Sequence, residues 1–66
     1  MDLIINGEPQ RLPEPTTVAD LLAARDLAGK RVAVERNGEI VSRTRHAETL
    51  LAAGDRIEIV VAVGGG

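Results

Sequence analysis

The 66-residue chain contains no cysteine and no phenylalanine, tyrosine or tryptophan. Without cysteine there is no disulfide and no thiolate zinc site, and any sulfur the protein carries cannot ride on a side-chain thiol. Without aromatic rings the core must come from Leu, Ile, Val and Ala, and single-stranded nucleic acid finds no platform on which to stack its bases. A dominant charge is missing too. Eight Lys and Arg against ten Asp and Glu leave a net charge of −2, which is no footprint for nucleic acid or an anionic membrane. No apolar run approaches the roughly 20 residues of a membrane span. Met1-Asp2-Leu3 opens with an acid rather than the basic flank of a secretion signal, so a cytoplasmic protein is expected. The single histidine, His46, has no second histidine or cysteine with which to share a metal. No metal site is expected, and His46 is read as solvated or locally bonded.

What is present is clear punctuation. Leu3-Ile4-Ile5 is an apolar run ended by Asn6-Gly7, a strong hairpin signal. Gln10-Arg11-Leu12 is the expected return strand, closed by Pro13 and Pro15, neither of which could donate to a ladder. Thr17-Val18-Ala19-Asp20 has the spacing of a capping box. Val18, Leu21 and Leu22 then fall on one face of an amphipathic helix. That helix should run about ten residues, with Gly29 as its terminator. Val32–Arg36, Asn37-Gly38 and Glu39–Val41 repeat the hairpin. Ser42 to Ala53 reads as a loop with one helical turn, anchored by Leu50.

Gly54-Asp55 turns the chain into a final strand in which Ile57, Ile59, Val61 and Val63 share one face. The order ββαββ, a short helical turn and β makes an α+β domain, one main helix packed on a mixed five-stranded sheet. The expected core is Leu3, Ile5, Leu21, Leu22, Val34, Ile57, Ile59 and Val61. Val60 and Ala62 lie on the other face of the last strand, where an exposed apolar spot favours a docking partner.

Residues 1–63 form the single domain in this reading, and Gly64, Gly65 and Gly66 follow as a flexible tail. Glycine has the most conformational freedom to lose, and three extended residues reach about 10 Å. A tail without Cβ atoms can enter a slot closed to any other sequence. It is either offered to another protein's active site or simply a frayed end. Arg43-Thr44-Arg45-His46 is a small basic cluster that leaves two readings open, a solvated loop or contact of Arg43, Arg45 and His46 with an acidic partner. Glu8, Glu14, Glu35, Glu48, Asp26 and Asp55 fall in turns or on polar faces, with no pair held for acid–base work. No glycine-rich loop opens a helix to cradle phosphate. No catalytic residue is expected.

Several segments carry a resemblance: Ile5-Asn6-Gly7, Thr17 to Leu22, Val32 to Val41, Gly54 to Val60, and the ending Ala62-Val63-Gly64-Gly65-Gly66. In them the chain resembles the ubiquitin-like β-grasp proteins and, among these, the sulfur carriers of thiamine biosynthesis. Ser42 departs from the pattern, standing where the family often has proline. The resemblance implies a protein cosubstrate rather than an enzyme. An ATP-dependent activating enzyme would adenylate the terminal carboxylate, here that of Gly66. Sulfur from a persulfide donor system would then displace AMP and leave a thiocarboxylate. Thiazole synthase would take that sulfur for the thiazole ring. The ATP belongs to the activating enzyme, so no cofactor is implied for this chain, nor any nucleic acid or membrane. Two alternatives stand beside this one. The first is another diglycine sulfur carrier, such as the small subunit of molybdopterin synthase. The second is a β-grasp module that binds non-covalently.

Overall fold

Both Asn-Gly pairs make tight hairpins. Asn6 and Gly7 stand at φ 52° and 81°, Asn37 and Gly38 at 53° and 86°. Two successive positive values mark a type I′ turn, whose twist matches that of the strands it joins. The structure, a computed structural model, describes residues 1–62. The first turn joins β1 (Asp2–Ile5) to β2 (Glu8–Arg11), and the second joins β3 (Val32–Arg36) to β4 (Glu39–Val41). β2 begins earlier than expected and includes Pro9, opposite Ile4. It can do so because β2 lies at the sheet edge, where a residue without an N–H costs no ladder bond.

The helix α1 (Val18–Ala24) starts as its sequence predicts. Thr17 Oγ1 accepts from the Asp20 N–H at 3.0 Å, and Asp20 Oδ2 accepts from the Thr17 N–H at 3.1 Å. Two otherwise orphaned donors are satisfied reciprocally. Its end is earlier than expected. Asp26, not Gly29, takes the left-handed position, at φ 59°. The Leu27 N–H then reaches the Leu22 carbonyl at 2.8 Å, and the Asp26 N–H reaches Ala23 at 3.1 Å. This is a Schellman end, and it turns Leu27 back onto the core. Gly29, at φ 80°, serves the following turn instead.

After a 3-10 turn at Arg43–Arg45, the chain runs antiparallel to the segment before α1. The Val18 N–H donates to Thr49, and the Leu51 N–H donates to Thr16. In such an extended stretch neighbours point to opposite sides. Leu51 is therefore the anchor, at 7% exposure, and Leu50, expected in that role, is 55% exposed.

The sheet order is β2-β1-β5-β3-β4, with β5 (Arg56–Val61) at its centre. β5 runs parallel to β1 and antiparallel to β3. Leu3, Ile5, Val34, Ile57 and Ile59 of the sheet meet Val18, Leu21 and Leu22 of the helix, with Leu51 closing the end. Val61 is a correction: it lies 42% exposed rather than in the core. A seven-residue helix covers about 10 Å, whereas the six residues of β5 extend about 20 Å. The strand outruns its cover. Val63, expected on the same face, lies outside the described residues.

Candidate functional site

The end of β5 matters most, because it leads to the glycines. Backbone pairing with β1 covers only Ile4–Arg56 and Ile5–Ile57. The Asn6 turn extends that flank. The Asn6 N–H donates to the Ile57 carbonyl at 2.8 Å, and Asn6 Oδ1 accepts from the Ile59 N–H at 2.7 Å. Asn37 does the same on the opposite flank. Its N–H donates to the Arg56 carbonyl at 2.8 Å, and its Oδ1 accepts from the Arg56 N–H at 2.9 Å. Each hairpin asparagine thus closes a pair of bonds onto β5, using a side chain where ladder backbone has run out.

Asp55 fixes the strand's start. It is 5% exposed and accepts from Arg36 Nε at 2.8 Å, Asn37 Nδ2 at 3.0 Å and the Ala52 N–H at 2.8 Å. Burial pushes its carboxyl pKa up, but the hydrogen bonds from Arg36, Asn37 and Ala52 and the Arg36 charge outweigh this. The group is held below the ordinary carboxylate value. Asp55 was expected to serve only the turn. It also ties that turn to the second hairpin.

At the other end the strand leaves the sheet beside β3. Val61 faces Val32 in register, and the Ala62 N–H donates to the Arg31 carbonyl at 3.0 Å. Val60, at 60% exposure, and Ala62 are both open to solvent, as their alternation predicts. Val60 lies opposite Ala33, and beyond them Glu35 and Glu58 face each other across the strands. Those two carboxylates lie on the face of the sheet turned away from the helix. Gly64, Gly65 and Gly66, the expected tail and its modified residue, lie outside the described residues.

The basic cluster divides. His46 is buried and locally bonded, its Nε2 at 3.1 Å from the Val41 carbonyl oxygen. Arg45 makes a loose, exposed pair with Glu48 at 3.9 Å, and Arg43 is exposed. Among the described residues, no group of three His, Asp or Glu could hold a metal ion. No helix among them is long and apolar enough to cross a membrane. The residues missed from sequence are Asn6, Asn37 and Arg36, which position β5. Their only signal was Asn-Gly spacing, which announces a turn and says nothing about a third strand.

Comparison with known proteins agrees with this geometry. A model described as the ThiS family matches residues 3–66. The sulfur carrier protein ThiS of Bacillus subtilis is 46% identical over 65 residues, 97% of this chain and 98% of that one. A thiazole synthase of Paramagnetospirillum magneticum is 42% identical over the whole chain, which spans only 20% of that protein's length. A crystal structure of the thiamine biosynthesis protein ThiS from Geobacter metallireducens superposes with a TM-score of 0.83 at 36% identity, covering all of both chains. The mixed five-stranded sheet on one helix is the ubiquitin-like β-grasp, and the chain belongs to the ThiS family.

Proposed function

We propose that this protein is a sulfur carrier of thiamine biosynthesis, acted on by enzymes rather than acting as one. The observation that carries the reading is the near end-to-end match to the Bacillus subtilis sulfur carrier. With Gly66 as the C-terminal residue, its carboxylate oxygen attacks the α-phosphorus of ATP on an activating enzyme. Pyrophosphate leaves, and an acyl adenylate remains. A carboxylate is a poor acyl donor, and the adenylate supplies the missing leaving group. The terminal sulfur of a protein persulfide then attacks the carbonyl carbon, and AMP departs. A second thiol cleaves the sulfur–sulfur bond, leaving a thiocarboxylate on Gly66 and a disulfide on the donor. Thiazole synthase receives the sulfur, and the carboxylate is regenerated. The likeness to part of two thiazole synthases supports that last partner.

The chain's own contribution is presentation. β5, held from both flanks as far as Ile59 and by the β3 side beyond it, delivers Ala62 at a fixed point, and Gly64, Gly65 and Gly66 continue without side chains to obstruct an active site. Val60 and Ala62 beside the exit give the partner an apolar surface to cover. The test is incubation with the activating enzyme, ATP and a persulfide donor, followed by intact mass. The parent chain should gain the mass of one sulfur-for-oxygen exchange. A variant with one alanine appended after Gly66 should gain nothing, because its Gly66 carboxyl is buried in a peptide bond. Equal gain by both would overturn the carrier reading in favour of a non-covalent module.

A further inference from the structure

A pocket of about 210 Å³ opens where the turn after α1, the start of β3 and the 3-10 turn meet. Leu22, Leu27 and Val32 give it an apolar lining, and Lys30, Arg43 and His46 complete the wall. It is smaller than the roughly 300–1,000 Å³ of small-molecule sites, so it suits one inserted side chain rather than a cofactor. Among the described residues no carboxylate lines it. Neither Lys30 nor Arg43 has an ion-pair partner among the described residues. On a chain of net charge −2, this corner is locally basic, and Arg31 continues it between Lys30 and Val32.

Its position gives the pocket meaning. Val32 both lines it and stands opposite Val61, and the Arg31 carbonyl holds the Ala62 N–H. The pocket therefore lies at the exit of β5, on the helix side, with Val60 on the opposite side of the sheet. A protein that grips the residues beyond Ala62 comes against both sides of that exit. On the helix side it meets a side-chain-sized apolar hollow flanked by the Lys30 and Arg43 cations. We propose that this pocket receives an apolar side chain from an acidic segment of the activating enzyme, a partner that rests on the carrier reading above. An apolar anchor in a pocket supplies residence time, and carboxylates opposing Lys30 and Arg43 speed association and fix its orientation.

The experiment is calorimetric binding of the full chain to its activating enzyme, without ATP, at low and high salt. Lys30→Glu combined with Arg43→Glu reverses two exposed charges and should leave the melting temperature near that of the parent. Its affinity should fall about tenfold or more at low salt, and the salt dependence of binding should largely vanish. Lys30→Arg with Arg43→Lys should bind like the parent. Ala28→Leu, which fills the pocket without changing charge, should also weaken binding. An affinity of the charge-reversed chain within about twofold of the parent at low salt overturns the proposal, as does a parent that fails to bind. Sulfur loading is read separately by mass. A parent that binds but never gains sulfur sinks the carrier reading, and the binding contrast still decides the pocket.

Discussion

Replacing Asn6 by glycine isolates what a turn asparagine does for a strand it does not belong to. Glycine adopts φ 52° without strain, so the hairpin keeps its turn chemistry. What goes is the carboxamide oxygen that accepts the Ile59 N–H at 2.7 Å. β1 ends at Ile5, so no backbone carbonyl of that strand stands ready to replace it. Leaving a buried donor unsatisfied costs about 1–3 kcal/mol. The added freedom of glycine in the unfolded chain contributes roughly 0.5 kcal/mol more. A domain of this size is stable by only about 3–10 kcal/mol in total, so the loss is a large fraction. It should lower the melting temperature by about 6 °C or more. The chain has no Trp or Tyr, so urea unfolding is followed by far-ultraviolet circular dichroism, with amide exchange of Ile59 read by NMR. Asn6→Asp keeps an acceptor at the same place and should recover most of the stability. A loss under about 0.5 kcal/mol, in the range of ordinary surface changes, with Ile59 exchange unaltered, would refute the reasoning.

Leu51→Ala should cost about 2–5 kcal/mol by leaving a cavity, whereas Leu50→Ala should stay within about 0.5 kcal/mol; parallel urea titrations decide, and equal losses would reverse the assignment of the anchor. Asp55 has a folded pKa below its unfolded value of about 3.9, so its ionisation adds stability above that value, and the gain is lost as pH falls through the lower folded pKa. The stability difference between the parent and Asp55→Asn should therefore be constant from about pH 7 to pH 5 and shrink below about pH 4; a difference that persists unchanged into that acid range would show that the network gains nothing from ionisation. Val60→Asp should leave the melting temperature nearly unchanged and weaken binding to the activating enzyme, because a new charge must be desolvated against an apolar surface. Unchanged affinity would remove Val60 from the interface.

The elements were legible where one local rule governs the outcome. Asn-Gly demands positive φ at two successive residues, and both hairpins formed where the pair occurs. Thr17 and Asp20 are three apart, which is all a capping box requires. The misreadings came where tertiary contact chose between local options. Asp26 tolerates the left-handed region well enough to end α1, once Leu27 gains by turning onto the core. Leu50 and Leu51 are indistinguishable in composition, and only the pairing with Thr16–Val18 decides which one points inward. Val61 follows the alternation of Ile57 and Ile59 faithfully, but a helix three residues shorter than expected does not reach it. The exposure of Val60 and Ala62 was legible in the alternation of the last strand. The supports of that strand were not, because a hydrogen bond spanning residues 6 to 59 leaves no periodic trace.

Those long-range supports explain how a small aliphatic domain can hold one strand firmly and still leave its last described residues exposed. Restraint on β5 is applied residue by residue, by Asp55 at the start, by Asn37 at Arg56, and by Asn6 at Ile57 and Ile59. Up to Ile59 the strand is held from both flanks. From Val60 to Ala62 only the β3 side continues, ending with the bond from Ala62 to Arg31. The core follows the same gradient, from fully buried Ile57 to half-open Val61. Burial and hydrogen bonding therefore decline together over the last turns of the pleat. An abrupt stop at a buried residue would place a partner against the sheet edge and demand that it unfold a ladder to reach the chain. A graded decline calls for no such disruption: Val60, Val61 and Ala62 are already exposed on the strand.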